Sequence, residues 1–186
     1  YKKKHNTLLA SCRAGNVIGG GDWATDRLVS DIMVSVSSGK KVSIRNPHAT
    51  RPWQHVLEPL SGYLHVGQKL LQEDATFSEA WNFGPSASVN MSVLDVVKNI
   101  KKYWEELEYK IDSDPDQPHE ANLLKLDCSK ALEKLKWQDV WGTSETIETT
   151  VKWYKSFYEN NQTVQTERNL DHYIVCARSK NIEWSI

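Results

Sequence analysis

Residues 7–18 form an apolar, partly β-branched stretch that runs straight into three successive glycines, Gly19–Gly21. Beyond them Leu28, Ile32, Met33 and Val36 recur at helical spacing, and Gly39 supplies the stop. A strand that ends in a glycine turn and is followed by a helix is the repeating unit of an α/β fold, because the helix carries the chain back to a parallel neighbour. This order of patterns constrains the fold more than any compositional figure does.

The pattern continues along the chain. The first helix is expected from Thr25 or Asp26 to about Ser38, with one of the two as its cap. Short strands are expected at residues 41–45 and 53–56, separated by the turn Asn46-Pro47-His48, and a helix at 59–71 tolerates Pro59 in its first turn. A strand at 80–83 closes on Gly84-Pro85, and Ser92 caps a helix reaching Leu107 whose buried stripe is Val93, Val96, Val97, Ile100 and Trp104. Strands at 109–111 and 123–126, a short helix at 128–134 and a longer one at 144–158 complete the series. The sequence after Asn160 is polar and reads as an irregular, partner-dependent extension. Trp81, Trp104, Trp137 and Trp153 are assigned to packing, and His55, between Trp53 and Val56, reads equally as a core histidine or a ligand contact.

Charge and cysteine content exclude several functions. The 186 residues carry 23 basic and 24 acidic side chains, a net charge of -1, so no global field draws the chain to nucleic acid or to an anionic membrane. Cys12, Cys128 and Cys176 are far apart, odd in number and without C-x-x-C spacing, which argues against a disulfide framework or zinc knuckle and fits a cytoplasmic setting. No apolar run approaches the roughly 20 residues that span a bilayer. The first residue, Tyr1, is not methionine, so the chain is expected to begin inside a longer polypeptide.

Gly19, Gly21 and Ala24 satisfy G-x-G-x-x-G/A, the phosphate-cradling turn of dinucleotide folds. That motif also needs an acidic residue about 20 positions on to take the ribose hydroxyls, and residues 41–45 contain no carboxylate. An NADP-type site using Arg45, and a purely structural turn, both remain open on the motif alone.

Longer stretches speak more specifically. "RAGNVIGGGDWATDRL" (13–28), "IRNPHATRPWQHVLEPLSGYL" (44–64), "WNFGP" (81–85), "PHEANLLKLDCSKALEKLKW" (118–137) and "TVKWY" (150–154) stand in unbroken order. They resemble the nucleotide-sugar branch of the extended short-chain dehydrogenase/reductases, and within it the CDP-glucose 4,6-dehydratases. The resemblance implies the C-terminal part of an extended Rossmann-type fold with a small α/β substrate-binding subdomain, interleaved over residues 1–160, with 161–186 as a tail. It implies NAD as cofactor, CDP-glucose or a related nucleotide sugar as ligand, and a homo-oligomer for the full-length enzyme. The implied reaction oxidises C4 of the hexose, eliminates water across C5 and C6 and returns the hydride to C6.

Within these residues no tyrosine has a lysine four positions later, so the family's Tyr-x-x-x-Lys pair is absent and no catalytic residue is assigned. The chain is expected to bind substrate and to be inactive alone. The resemblance places Asn16 at the sugar-proximal phosphate and Arg51 on the pyrophosphate. It sets Ser43 and Arg45 beside the base and ribose, and Asn82, His119 and Glu120 around the nucleotide. Arg27, at the start of a helix, is a second phosphate candidate, because a helix N-terminus favours anions. A non-catalytic sugar-nucleotide module, or part of a related epimerase or reductase, is the alternative reading.

Overall fold

The computed structural model describes residues 6–85, 91–112 and 126–185. The expected single strand at 7–18 is two: β1 (Ser11–Ala14) pairs parallel with β6 (Ala80–Phe83), and β2 (Asn16–Ile18) pairs parallel with β5 (Trp53–His55). The break falls at Gly15, where a Cβ would stand 2.8 Å from both Cγ and the carbonyl oxygen of Pro52. Only glycine lets Pro52 approach this closely, so the chain changes partner there. Parallel pairing of β3 (Val42–Ile44) with β8 (Tyr109–Ile111), and antiparallel pairing of β4 (Thr50–Arg51) with β7 (Met91–Ser92), complete the described strands. The architecture is mixed α/β, as the alternation of patterns predicts.

Among the described residues six α-helices accompany these strands: α1 (Leu28–Ser37), α2 (Leu57–Leu71), α3 (Val93–Tyr103), α4 (Ser129–Leu135), α5 (Thr143–Glu159) and α6 (Thr166–Ser179). Ser92 caps α3 as expected, in a capping box with Asp95, and Val96, Val97 and Ile100 form its buried face. Neither Thr25 nor Asp26 caps α1. Asp26 lies in the left-handed region at φ 62, outside helical geometry, and the helix starts after Arg27 with no side-chain cap.

The largest core cluster joins Ile32, Met33 and Val36 of α1, Val96, Val97 and Ile100 of α3, and Ile147, Val151, Trp153 and Tyr154 of α5. A second packs Trp81 and Phe83 of β6 on Val66, Leu135 and Trp137. All four tryptophans assigned to packing are buried. The third cluster corrects the expectation of an irregular tail: Tyr173 and Ala177 of α6, with Ile182 beyond it, pack on Val140 and Trp141. Two buried residues four positions apart seat this helix, while its Leu170 and Val175 stay exposed, and such a narrow stripe hides in a largely polar sequence. Among the described residues, no helix is long and apolar enough to cross a membrane.

Candidate functional site

A cleft of about 830 Å³ opens where the end of β2, the start of α1, β3 and β4 converge. Asn16, Arg27, Ser43, Arg45 and Arg51 all line it. Residues of the first turn of α1, Leu28, Val29 and Ser30, form part of the same wall. The first N–H groups of a helix lack intrahelical acceptors and sit at the positive end of its dipole, so this wall suits an anion.

The glycine turn is held by α5. A Cβ on Gly20 would lie 2.0 Å from Cδ2 of Trp153, so the indole rests directly on the glycine backbone. The Tyr154 hydroxyl accepts from the Asp22 amide at 2.8 Å and donates to the Asp22 carbonyl. Trp23 Nε1 donates to the Tyr158 hydroxyl at 2.9 Å. The indole covers Gly20, and no acidic residue stands about 20 positions on, so this turn does not match the dinucleotide fingerprint. It directs the chain from Asn16 to Arg27 across the cleft.

Each cleft arginine has anionic or carbonyl company. Arg27 Nη1 lies 2.9 Å from Asp22 Oδ2, near the surface, and the other Asp22 oxygen accepts from the Ala24 amide at 3.0 Å. Slight burial works to raise the Asp22 pKa, but the Ala24 amide and the Arg27 guanidinium outweigh it and hold the carboxyl below its ordinary value. Partial burial, with Asp26 nearby, raises the pKa of Asp31, and the positive charge of Arg45 opposes this. Arg51 Nη1 donates to the Thr50 carbonyl at 2.9 Å. Ser43 Oγ donates to Asp112 at 2.9 Å, and Lys110, 2.8 Å from the same carboxylate oxygen, together with Ser43 keeps that carboxyl well ionised.

Asn82 is not on this cleft. It lies in β6 opposite Arg13, and its amide donates to the Asp127 carbonyl at 3.1 Å. His119 and Glu120 lie outside the described residues. His55 is a core histidine: it is 3% exposed, its Nδ1 accepts from the Leu57 amide, and its ring meets Trp141 edge-on at 4.8 Å. Burial pushes its pKa down to about 4.

One buried polar group gave no sequence signal. Glu58, fully buried near the start of α2, accepts from the amides of Val140 and Trp141 at 2.9 and 2.8 Å and from the Tyr173 hydroxyl at 2.8 Å. Its carboxylate ties α2 to the segment before α5 and to α6. Burial pushes its pKa up to about 7 against those three hydrogen bonds.

Solved structures share this fold. UDP-glucuronic acid 4-epimerase from Bacillus cereus, in complex with UDP-glucuronic acid and NAD, superposes with a TM-score of 0.69 at 19% identity, over 85% of this chain and 48% of that one. dTDP-glucose 4,6-dehydratase from Bacillus anthracis, in complex with NAD, gives 0.63 at 18% identity, over 86% and 49%. The fold is therefore the Rossmann-like α/β fold that these nucleotide-sugar epimerase and dehydratase structures share. Within that class the chain is homologous to the C-terminal portion of a CDP-glucose 4,6-dehydratase: it is 47% identical over 174 residues to the Salmonella typhimurium enzyme, a match covering 92% of this chain and 48% of that enzyme. The chain thus spans about half the length of the curated relative it matches. No family model matches it.

Proposed function

We propose that this chain is the substrate-holding portion of an NAD-dependent CDP-glucose 4,6-dehydratase, and that its cleft binds the nucleotide diphosphate of the sugar. The observation that carries the proposal is the convergence of Asn16, Arg27, Ser43, Arg45 and Arg51 on one cleft at the start of a helix. The 47% identity to a CDP-glucose 4,6-dehydratase supports the choice of substrate.

On this reading the planar guanidinium of Arg51 grips the pyrophosphate, which a fork of parallel N–H donors matches better than a point charge does. The Asn16 amide donates to the sugar-proximal phosphate, and Arg27 adds charge beside the α1 N-terminus. Ser43 and Arg45 border ribose and base, and His119 and Glu120 complete the nucleotide end. Asn82, whose amide is spent on the Asp127 carbonyl, acts as a positioning residue. Bound NAD would supply a hydride acceptor for C4 and a donor for C6, and it would be held by parts of the enzyme other than this glycine turn. This chain orients the hexose and by itself turns over no substrate. On this reading the whole enzyme is a homo-oligomer.

Calorimetric titration with CDP-glucose tests the proposal. Losing a hydrogen bond to a charged group costs about 1.5–3 kcal/mol, so Arg51→Ala is expected to weaken binding roughly 10- to 150-fold. Competition with UDP- and dTDP-glucose reads the base preference. Absence of CDP-glucose binding, or unchanged affinity in the variant, overturns the proposal, and tighter binding of UDP-glucose reassigns the substrate.

A further inference from the structure

Away from the cleft, α5 and α6 bring three side chains of different chemistry to one point. Glu145 lies in the first turn of α5, while His172 and Cys176 are one turn apart on α6. His172 Nε2 is 3.0 Å from Glu145 Oε1, and the Cys176 sulfur is 4.0 Å from that oxygen and 3.7 Å from that nitrogen. All three ligand atoms lie within 4.8 Å of one another.

We propose that Glu145, His172 and Cys176 form a three-ligand site for a divalent transition metal, zinc by its donor chemistry, with the fourth position open to water. Zinc bonds of about 2.0 Å to nitrogen and oxygen and 2.3 Å to sulfur place neighbouring ligands of a tetrahedron roughly 3.3–3.6 Å apart. The three separations here bracket that range. One thiolate, one imidazole and one carboxylate suit zinc, whereas magnesium and calcium demand oxygen donors. The imidazole is also positioned from behind: Trp141 packs against it at 5.6 Å, and the Trp141 amide is anchored on Glu58.

The same three residues do not make a nucleophilic triad. A base that activates a thiol needs one ring nitrogen on the sulfur and the other on the carboxylate. Here the sulfur is 3.8 Å from Nδ1 and 3.7 Å from Nε2, and it is Nε2 that also faces Glu145, so no single lone pair is aimed at the thiol. Two ligands from α6 and one from α5 would make the metal a clamp on the C-terminal helix.

Cobalt(II) titration of the full, metal-free chain under a non-chelating phosphine reductant tests the site. One equivalent of Co²⁺ is expected to give tetrahedral visible bands and a thiolate-to-cobalt charge-transfer band, both displaced by Zn²⁺. The charge-transfer band disappears in Cys176→Ser and survives in Cys12→Ser and Cys128→Ser. Zn²⁺ at about 100 times its Kd raises the wild-type Tm by roughly 5–10 °C. Glu145→Gln and His172→Ala, with metal-free melts recorded alongside, lose that increment. No charge-transfer band in the wild type, or one that persists in Cys176→Ser, overturns the proposal.

Discussion

Glu58 and His55 make opposing demands on stability as pH changes, and the two nearly cancel. Burial carries the Glu58 carboxyl from its ordinary 4.5 up to about 7. Between those values the folded chain keeps a proton that the unfolded chain has released, so stability falls as pH rises. His55 is carried from 6.5 down to about 4, and between those values the unfolded chain holds the extra proton, so stability rises with pH. At 1.36 kcal/mol for each tenfold change, each side chain alone tilts stability by about 3 kcal/mol, and the windows overlap between about pH 4.5 and 6.5. These two contributions offset each other across that interval, which leaves the wild type with only the shallower rise that buried His65, its pKa also lowered by burial, contributes. Glu58→Gln removes the falling contribution, so its stability should climb by about 3 kcal/mol from pH 4.5 to 6.5, from a lower starting point. That lower start follows because a neutral amide cannot accept equally from the two amides and the hydroxyl that Glu58 now serves. His55→Asn should show the reverse slope. Urea denaturation at a series of pH values, with the m-value checked for constancy, reads both. A flat Glu58→Gln profile, or a wild type that follows either single-residue slope, would refute the reasoning.

Three further outcomes follow. Gly20→Ala sets a methyl against the Trp153 ring and should cost about 1–3 kcal/mol, read as a lower midpoint in thermal or urea melts; an unchanged midpoint would mean the indole is not seated on the turn. Asp22→Asn removes the carboxylate that competes for Arg27, so CDP-glucose should bind several-fold more tightly at low salt, with the gain fading at high salt. Loss of affinity in that variant would show that Asp22 supports the ligand rather than competing with it. The isolated chain supplied with NAD and CDP-glucose should form no 4-keto sugar, as read by sugar-product chromatography.

What was legible in the sequence is what depends on near neighbours. Ser92 and Asp95 are three residues apart, so the α3 cap can be read directly, and the stripe through Val96, Val97 and Ile100 follows from period. The cleft was legible for the same reason: Asn16, Arg27, Ser43, Arg45 and Arg51 are delivered by successive elements within 36 residues, and ordered resemblance fixes their company. Contacts between distant segments were not. Nothing local announces that Pro52 presses on Gly15, that Trp153 sits on Gly20, or that Glu58 receives amides from more than 80 residues away. Asn82 lies in β6 opposite Arg13 and outside the residues that line the cleft, a placement that strand pairing decides and motif does not. The grouping of His172 and Cys176 with Glu145 was not legible either, because the segment after Asn160 read as irregular and Glu145 joins the pair only through tertiary packing.

The central claim is that the cleft beside the α1 N-terminus holds a nucleotide diphosphate, and a crystal structure with CDP-glucose bound tests it most directly. The account predicts pyrophosphate oxygens within hydrogen-bond distance of the Arg51 guanidinium and the Asn16 amide, with the Trp153 indole still seated on Gly20. A nucleotide bound elsewhere, or a phosphate resting on the glycine turn with that indole displaced, would contradict it.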